Sequence, residues 1–227
     1  MLAKKKSART VRRKRREGPA EPLKREQIVA TALALVDRDG LKALSMRRLG
    51  AELGVDPMAV YYHLPNKQAL LDAIVEAVMA GIDLSADHAA DPPEERIMVA
   101  ARAYRDAMLA HANALPILLV HGPATPAAMR PVELLIGILR GAGLGPARAL
   151  AGMNAIAAAV RGVVGMLAPD GSQPPMKEET EAMAQIFTPG EFPYLQEAAQ
   201  YVGEFSDHGF EFGIRALARG LLAEVRS

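Results

Sequence analysis

A short segment with two tyrosines and a histidine, 56-DPMAVYYHLPNK-67, carries the side chains best suited to recognition chemistry. Only 4% of the chain is aromatic, and the segment is too short to build a core of its own. A tyrosine offers an apolar ring to a thymine methyl group and a hydroxyl to a phosphate. Tyr61, Tyr62 and His63 therefore fit a helix that reads a nucleic acid, although we expect at least one tyrosine to be partly buried against the first helix.

Side chains on either side of these aromatic residues could contact DNA in complementary ways. Met58 and Ala59, near the start of the same segment, could touch base edges through apolar contacts. Arg47 could pair with guanine O6 and N7, the commonest specific contact of arginine, whereas outside a DNA-binding context it would be an ordinary surface residue. Ser45, at a helix N-terminus, and Lys67, at the start of the next helix, are natural phosphate ligands.

Four predicted helices position these candidates. An apolar stripe from Ile28 to Val36 indicates the first helix, and the next two are short segments joined by a turn at Gly54. Two short helices with such a turn form a helix-turn-helix, whose second helix faces a groove. The first helix is predicted to start at Lys24 without a side-chain cap. The predicted N-caps of the other helices are Ser45, Asp56 and Asn66, and the predicted ends are Gly40, Gly54 and Leu64.

The distribution of charge separates the chain into two parts. Residues 1–67 hold 16 Lys and Arg against 7 Asp and Glu, whereas the other 160 residues hold 11 against 19. Residues 1–22 are basic, nearly free of large apolar side chains, and predicted to be a disordered arm. A basic N-terminal part indicates a polyanionic partner, and the arm could equally be a solvated tail.

Composition excludes several kinds of structural site and targeting segment. The chain has no cysteine, which excludes disulfides and thiolate zinc sites. No window approaches about 18 to 20 uncharged apolar residues, and no apolar core follows the charged N-terminus. We therefore expect a cytoplasmic protein with no membrane partner.

The acidic remainder, rich in methionine and alanine, is predicted to be helical, with no alternating strand pattern. Its predicted segments include a short helix over 116–122, a helix over 126–139, a loop over 168–175 and a helix over 177–187. Methionines adapt to irregular apolar ligands, so the sequence favours a lipophilic effector. Each methionine alone is more typical of a core, and each histidine of a cap or a core hydrogen bond. The candidate ligand-binding residues are His111, His121, Met108, Met129, Met153 and Met166.

Small side chains between residues 147 and 167, and the apolar last helix from about Asp207 to Val225, are typical of a dimer face. Packing within one subunit is the alternative. A homodimer is favoured because one short helix supplies too little DNA contact. Two such helices on a twofold axis read half-sites about 34 to 36 Å apart, which predicts a palindromic double-stranded DNA operator.

Three stretches together resemble the DNA-binding domain of the tetracycline repressor (TetR/AcrR) family: the first helix, 45-SMRRLGAELGV-55 and the run VYYHLPNKQALLDA. They fall in register over residues 25–76. The tail 209-GFEFGIRALARGL-221 and the segment 119-LVHGPATP-126 are similar to the effector domain of the tetracycline repressor's own branch. The resemblance implies that Tyr61 and His63 point outward and Val60 inward.

The same resemblance implies an all-α protein. An N-terminal three-helix helix-turn-helix domain (residues 23–68) would be joined by a connecting helix to a ligand-binding and dimerisation bundle (residues 69–227). It also implies a transcription repressor released by a small molecule. Of the side chains that hold a magnesium-chelated drug in the tetracycline repressor, only His121 has a match, because Asp83 and Met166 replace the others. We therefore expect neither a metal nor a cofactor.

Two other function classes were weighed. An enzyme is disfavoured because the chain has no Gly-x-Ser-x-Gly elbow, phosphate-binding glycine loop or His-Glu-x-x-His helix. A helical interaction module whose basic arm binds RNA or anionic membrane is the stronger alternative. The two are distinguished by whether the Tyr61 and His63 helix contributes to nucleic-acid binding.

Overall fold

The computed structural model describes residues 22–122, 124–167, 192–199, 201 and 207–225. Within them the chain forms ten α-helices and two 3-10 turns and no strand, so the expected all-α class is confirmed. The predicted arm (except residue 22), loop 168–175 and helix 177–187 lie outside the described residues. The helices are α1 (Arg25–Asp39), α2 (Met46–Leu53), α3 (Pro57–His63), α4 (Lys67–Ala80), α5 (Pro93–Ala110), α6 (Leu115–Leu118), α7 (Arg130–Gly141), α8 (Pro146–Leu167), α9 (Pro193–Ala199) and α10 (Asp207–Ala223).

Side-chain caps start the three helices after α1, as the sequence predicts. The side chains of Ser45, Asp56 and Asn66 accept hydrogen bonds from backbone amides at 3.2, 2.8 and 2.8 Å, at the first turns of α2, α3 and α4. The start of α1 was expected to lack a side-chain cap. Instead, the Gln27 side chain reaches back and accepts a hydrogen bond from the Lys24 amide at 2.9 Å, which satisfies one of the free donors at that helix end.

Two glycines make the tight turn between α2 and α3 possible. Gly54 ends α2 in the left-handed region, with φ of 67°, which side chains other than glycine adopt only at a cost. A Cβ at Gly50 would lie 3.1 Å from the Val55 carbonyl oxygen and 3.2 Å from the Pro57 Cα. The two helices of the helix-turn-helix therefore pack backbone against backbone.

One apolar core runs through both halves of the chain, from Ile28 in α1 to Ala218 in α10. In the C-terminal half, α5, α7, α8 and α10 pack against one another. A Cβ at Gly152 of α8 would lie 3.1 Å from Leu139 and 3.2 Å from Leu221, so α8 approaches both α7 and α10 closely. This agrees with the expectation that small residues permit close helix contact in this segment.

Two element boundaries in the C-terminal half differ from the prediction. The helix predicted over 126–139 begins only at Arg130, and residues 126–129 form turns. The segment predicted to be helical over 116–122 is helical only over Leu115–Leu118. Both differences fall around Thr125, whose amide and hydroxyl are bound by the Glu76 carboxylate of α4, a contact between distant residues that local periodicity does not reveal.

Helix α8 is long and apolar enough, by length and composition, to cross a membrane over Pro146–Met166, and one third of that window is buried. The sequence-based expectation differed because it required uncharged residues throughout, and Arg148 and Arg161 lie within this helix. In the structure α8 packs against α5, α7 and α10. Its remaining surface is a largely apolar face without a partner in the described residues.

Candidate DNA-reading helix and effector cavity

Helix α3 presents a nearly fully exposed tyrosine on the side opposite to its buried residue. Val60 is completely buried, whereas Tyr62 is 87% exposed and Met58 70% exposed. At about 100° per residue, Tyr62 lies roughly 200° around the helix from Val60, while His63 lies only about 60° from it. The resemblance-based placement of Tyr61 and His63 as the outward pair is therefore wrong in part: Tyr61 is 40% exposed, His63 is half-buried, and Tyr62 faces outward.

Two aromatic side chains of α3 are in contact with each other. The ring of His63 meets the ring of Tyr62 edge-on, with ring centroids 5.5 Å apart and an interplanar angle of 84°. This contact positions the tyrosine ring without burying it. Ala59, the other apolar candidate of this helix, is half-buried.

The polar candidates lie on the surface beside α3. Arg47 is exposed and makes no ion pair within the residues that the structure describes, whereas its neighbour Arg48 pairs with Asp39. Ser45 is exposed but its hydroxyl oxygen already accepts a hydrogen bond from the Arg48 amide. Lys67 is exposed in the first turn of α4. Arg47 and Lys67 thus keep their charges available to an incoming ligand.

A cavity of about 340 Å³ lies within the C-terminal bundle, a volume within the range of small-molecule sites. Three of the predicted ligand-binding residues, His121, Met129 and Met153, line it. The remaining lining residues are Met79, Ala100, Ala101, Tyr104, Gly122, Pro131, Val132, Leu135, Asn154, Ile156, Ala157, Val160 and Arg161. Most are apolar, as expected for a lipophilic ligand.

The other three predicted ligand-binding residues do not line this cavity. Met108 is buried in the core and Met166 is 58% exposed. His111 lies at the end of α5, where its Nδ1 is 2.9 Å from the Asp37 carboxylate of α1. The Asn113 side chain also donates to the Asp37 carbonyl oxygen at 2.8 Å, so this corner joins the two halves of the chain.

The sequence analysis missed three polar lining residues: Tyr104, Asn154 and Arg161. Asn154 and Arg161 interrupt an otherwise small or apolar stretch of α8, whereas Tyr104 lies among charged residues of α5. Asn154, Ala157 and Arg161 follow one another at spacings of three and four, which places them on one stripe of α8. This helical spacing could have identified Asn154 and Arg161 from the sequence as residues on one side of α8.

Helix α4 connects the cavity to the helix-turn-helix. Its residue Met79 lines the cavity, and the Asp72 carboxylate lies 3.3 Å from Nδ1 of the lining residue His121. The Glu76 carboxylate accepts hydrogen bonds from the Ala124 amide, from the Thr125 amide at 3.1 Å and from the Thr125 hydroxyl. Three successive turns of α4 therefore contact the cavity or the segment that borders it.

Among the described residues, no group of three or more His, Asp and Glu side chains is arranged to hold a metal ion. The lining residue His121 is instead paired with a single carboxylate, that of Asp72.

A helix-turn-helix joined through one helix to a helical bundle with a small-molecule cavity defines a class of DNA-binding regulator. Two family models match the chain: the "Bacterial regulatory proteins, tetR family" model over residues 28–74 and the "Tetracyclin repressor-like, C-terminal domain" model over residues 89–225. The chain belongs to the TetR family of bacterial transcription regulators. The resemblance drawn from the sequence is thereby confirmed.

Individual relatives support the same assignment. The class C tetracycline repressor protein of Escherichia coli is 31% identical over 202 residues, which cover 88% of this chain and 90% of that protein. The structure of the Streptomyces coelicolor TetR family protein ActR in complex with actinorhodin superposes with a TM-score of 0.79 at 28% identity, covering 89% of this chain and 97% of ActR. The structure of BioQ with its DNA operator has a TM-score of 0.61 at 26% identity, covering 88% and 99%.

The family assignment establishes the general function of the protein. The protein is a DNA-binding transcription regulator with a C-terminal ligand-binding domain. Members of the family are regulators rather than enzymes, which agrees with the function class that the sequence favoured.

Proposed function

We propose that the protein is a repressor that binds a palindromic operator as a homodimer and is released when a small lipophilic molecule occupies the cavity. The observation that carries the proposal is that Met79, a cavity-lining residue, belongs to the helix that directly follows the reading helix α3. DNA binding places the proposed site of action in the cytoplasm.

The proposed reading surface is the exposed side of α3 with the charged residues beside it. Tyr62 and Met58 would meet base edges and thymine methyl groups, with Tyr61, His63 and Ala59 at the flanks. This assignment rests on the exposures of Tyr62 and Met58 and on the burial of Val60 on the opposite side.

Charged and polar groups around α3 would hold the phosphate backbone or add one base contact. Arg47 is the candidate for guanine, while Lys67 and the N-terminus of α2 at Ser45 would bind phosphates. Phosphate contacts add affinity and salt dependence rather than sequence preference. BioQ, a relative at 26% identity, has been solved with its double-stranded operator, which supports DNA as the partner here.

The proposed dimer face combines α8 and α10. Apolar side chains without cover in the monomer lie on both helices: Leu150 is 49% exposed, Met166 58% and Phe212 78%. Exposed apolar patches often mark protein–protein interfaces, and a second copy of the same face would bury these side chains. The twofold axis would place two copies of α3 about one DNA turn apart, and this spacing requires an inverted repeat.

Release would work through α4. A ligand in the cavity would press on Met79 and on the segment that contains His121, which is linked to α4 through Asp72 and Glu76. A shift of α4 moves the two reading helices out of register with successive major grooves. A ligand that prefers the released state by about 3 to 5 kcal/mol would free the operator by mass action.

The test is selection of bound duplexes from a randomised pool by the purified protein at about 0.15 M salt, where non-specific binding is suppressed. We expect enrichment of an inverted repeat bound with two subunits per duplex. Recovery of unenriched DNA would contradict the proposal and favour non-specific binding through the basic arm. Enrichment of a single, unrepeated site would contradict the dimer.

A further inference from the structure

The effector cavity contains a positively charged side chain and no carboxylate among its described lining residues. Arg161 of α8 is half-buried at the cavity wall, and the neighbouring polar lining groups are Asn154, Tyr104 and His121. The rest of the wall is hydrocarbon and thioether. The cavity therefore combines an apolar body with one fixed cation.

Arg161 differs from the arginines of α5 and α10 that form ion pairs, and it resembles Arg130 and Arg140 in having none among the described residues; of these three, only Arg161 lines this cavity. Arg96 pairs with Asp87 at 2.8 Å, Arg102 with Glu211 at 2.5 Å and Arg215 with Glu94 at 2.8 Å. Within the part of the chain that the structure describes, Arg161 makes no ion pair. A guanidinium that is half removed from water beside apolar walls gains most from an anion that completes its hydrogen bonds.

Two carboxylates of α4 lie near the cavity without lining it, and both are engaged: Asp72 with His121, and Glu76 with Thr125. The Asp72 carboxylate lies 3.3 Å from His121 Nδ1, on α4 rather than on α8. Its charge is directed at the His121 ring, and Asp72 is not among the residues that line the cavity. Arg161, the charged lining residue of α8, instead favours a ligand group with a negative charge.

Asn154 extends the polar edge along α8. It lies seven residues before Arg161, which is two helical turns or roughly 10 Å along the axis. Both are on the stripe of α8 that lines the cavity, and Asn154 is exposed, which places it at the rim. A ligand with its apolar body against Leu135 and Ile156 would have its polar end at this edge.

We infer that the effector is a lipophilic anion, an aromatic or aliphatic carboxylate or sulfonate, whose acidic group pairs with Arg161. The planar fork of the guanidinium matches the two oxygens of such a group. This inference rests on the proposed function, since it specifies the chemistry of the effector in that cavity.

Two fluorescent probes with the same skeleton test the inference on the full-length protein without DNA. 1-Anilinonaphthalene-8-sulfonate carries a permanent negative charge, and N-phenyl-1-naphthylamine lacks the sulfonate. We expect saturable binding of the sulfonate at one site per subunit. Arg161→Gln should weaken it by about tenfold to a hundredfold, the range for a lost charge-assisted hydrogen bond, and change the affinity for the neutral probe less than threefold.

Two further variants separate charge from folding. Arg148→Gln removes an exposed arginine from the same helix and should leave both affinities unchanged. Arg161→Lys retains the charge but not the planar fork, so it should weaken sulfonate binding less than Arg161→Gln does. Thermal melting monitors the fold of each variant. Equal loss of both probes in Arg161→Gln, no loss of either, or no saturable binding of the sulfonate would overturn the inference.

The outcome is independent of DNA selection. A failed selection with discriminating dye binding would refute the operator proposal and leave the anion site standing. Successful selection without a charge preference in dye binding would refute the anion site and leave the operator proposal standing.

Discussion

Tyr62 offers a sharp mutational test of DNA reading by α3. Its side chain is 87% exposed, so truncation opens no cavity, and substitutions at such sites typically change the free energy of unfolding by less than about 0.5 kcal/mol. A well-placed side chain at a base edge contributes about 1–3 kcal/mol. Because the proposed dimer loses one such contact in each half-site, or about 2–6 kcal/mol in all, we expect Tyr62→Ala to raise the operator Kd by at least about 30-fold with an unchanged melting temperature.

Fluorescence anisotropy with the selected operator and a scrambled duplex, at several salt concentrations, measures this effect. Because tyrosine is uncharged, the slope of log K against log salt should stay as in the wild type, and the scrambled duplex should bind as before. Lys67→Ala should behave differently, weakening both duplexes and lowering the slope by about two, one phosphate contact from each subunit of the dimer.

Tyr194→Ala is the matched control. Tyr194 is 85% exposed on α9, outside the helix-turn-helix, so its removal should leave operator binding unchanged. Tyr62→Phe separates the ring from the hydroxyl. The reasoning is refuted if Tyr62→Ala binds the operator like the wild type, or if it weakens the scrambled duplex by the same factor.

Three further predictions concern coupling, stability and assembly. Glu76→Gln should lower the free energy of unfolding in urea by about 1–2 kcal/mol, because its carboxylate binds the Thr125 amide and hydroxyl; an unchanged value would contradict a structural role for this link. The Arg102 guanidinium lowers the pKa of Glu211, so this carboxylate stabilises the fold above the unfolded-state pKa of about 4.3 and loses that contribution as the pH falls through its folded-state pKa. Arg102→Gln should therefore flatten the decline in stability measured by urea unfolding between about pH 5 and pH 3, and an equally steep decline would count against it. Phe212→Asp should yield a folded monomer in sedimentation, whereas a retained dimer would exclude this residue from the interface.

The N-terminal helices were predictable from the sequence because their boundaries are set locally. Ser45, Asp56 and Asn66 act on amides two or three residues away, and Gly54 ends α2 through its own backbone conformation. The family resemblance predicted the orientation of individual side chains on α3 less accurately than it predicted the helices themselves. The helical spacing of Tyr62 from buried Val60 indicates the outward side of α3 better than the family pattern does.

The cavity could be predicted only in part, because it is built from residues far apart in the chain. Methionine content identified Met129 and Met153, but no local pattern joins Met79 of α4 to Arg161 of α8. His111 was misplaced for the same reason, since its partner Asp37 lies 74 residues away. Long-range contacts of this kind become visible only in the folded chain.

Operator release in a variant with a filled cavity tests whether a ligand in the cavity controls DNA binding. Ala157 lines the cavity on α8, and Ala157→Phe would occupy the space of a ligand without touching the helix-turn-helix. A panel of aromatic and fatty carboxylates and their neutral esters is titrated against protein bound to the labelled, selected operator. The account predicts that at least one compound releases the operator from the wild type at a concentration that leaves Ala157→Phe bound. Equal release from both proteins, or release from neither by any compound, would contradict it.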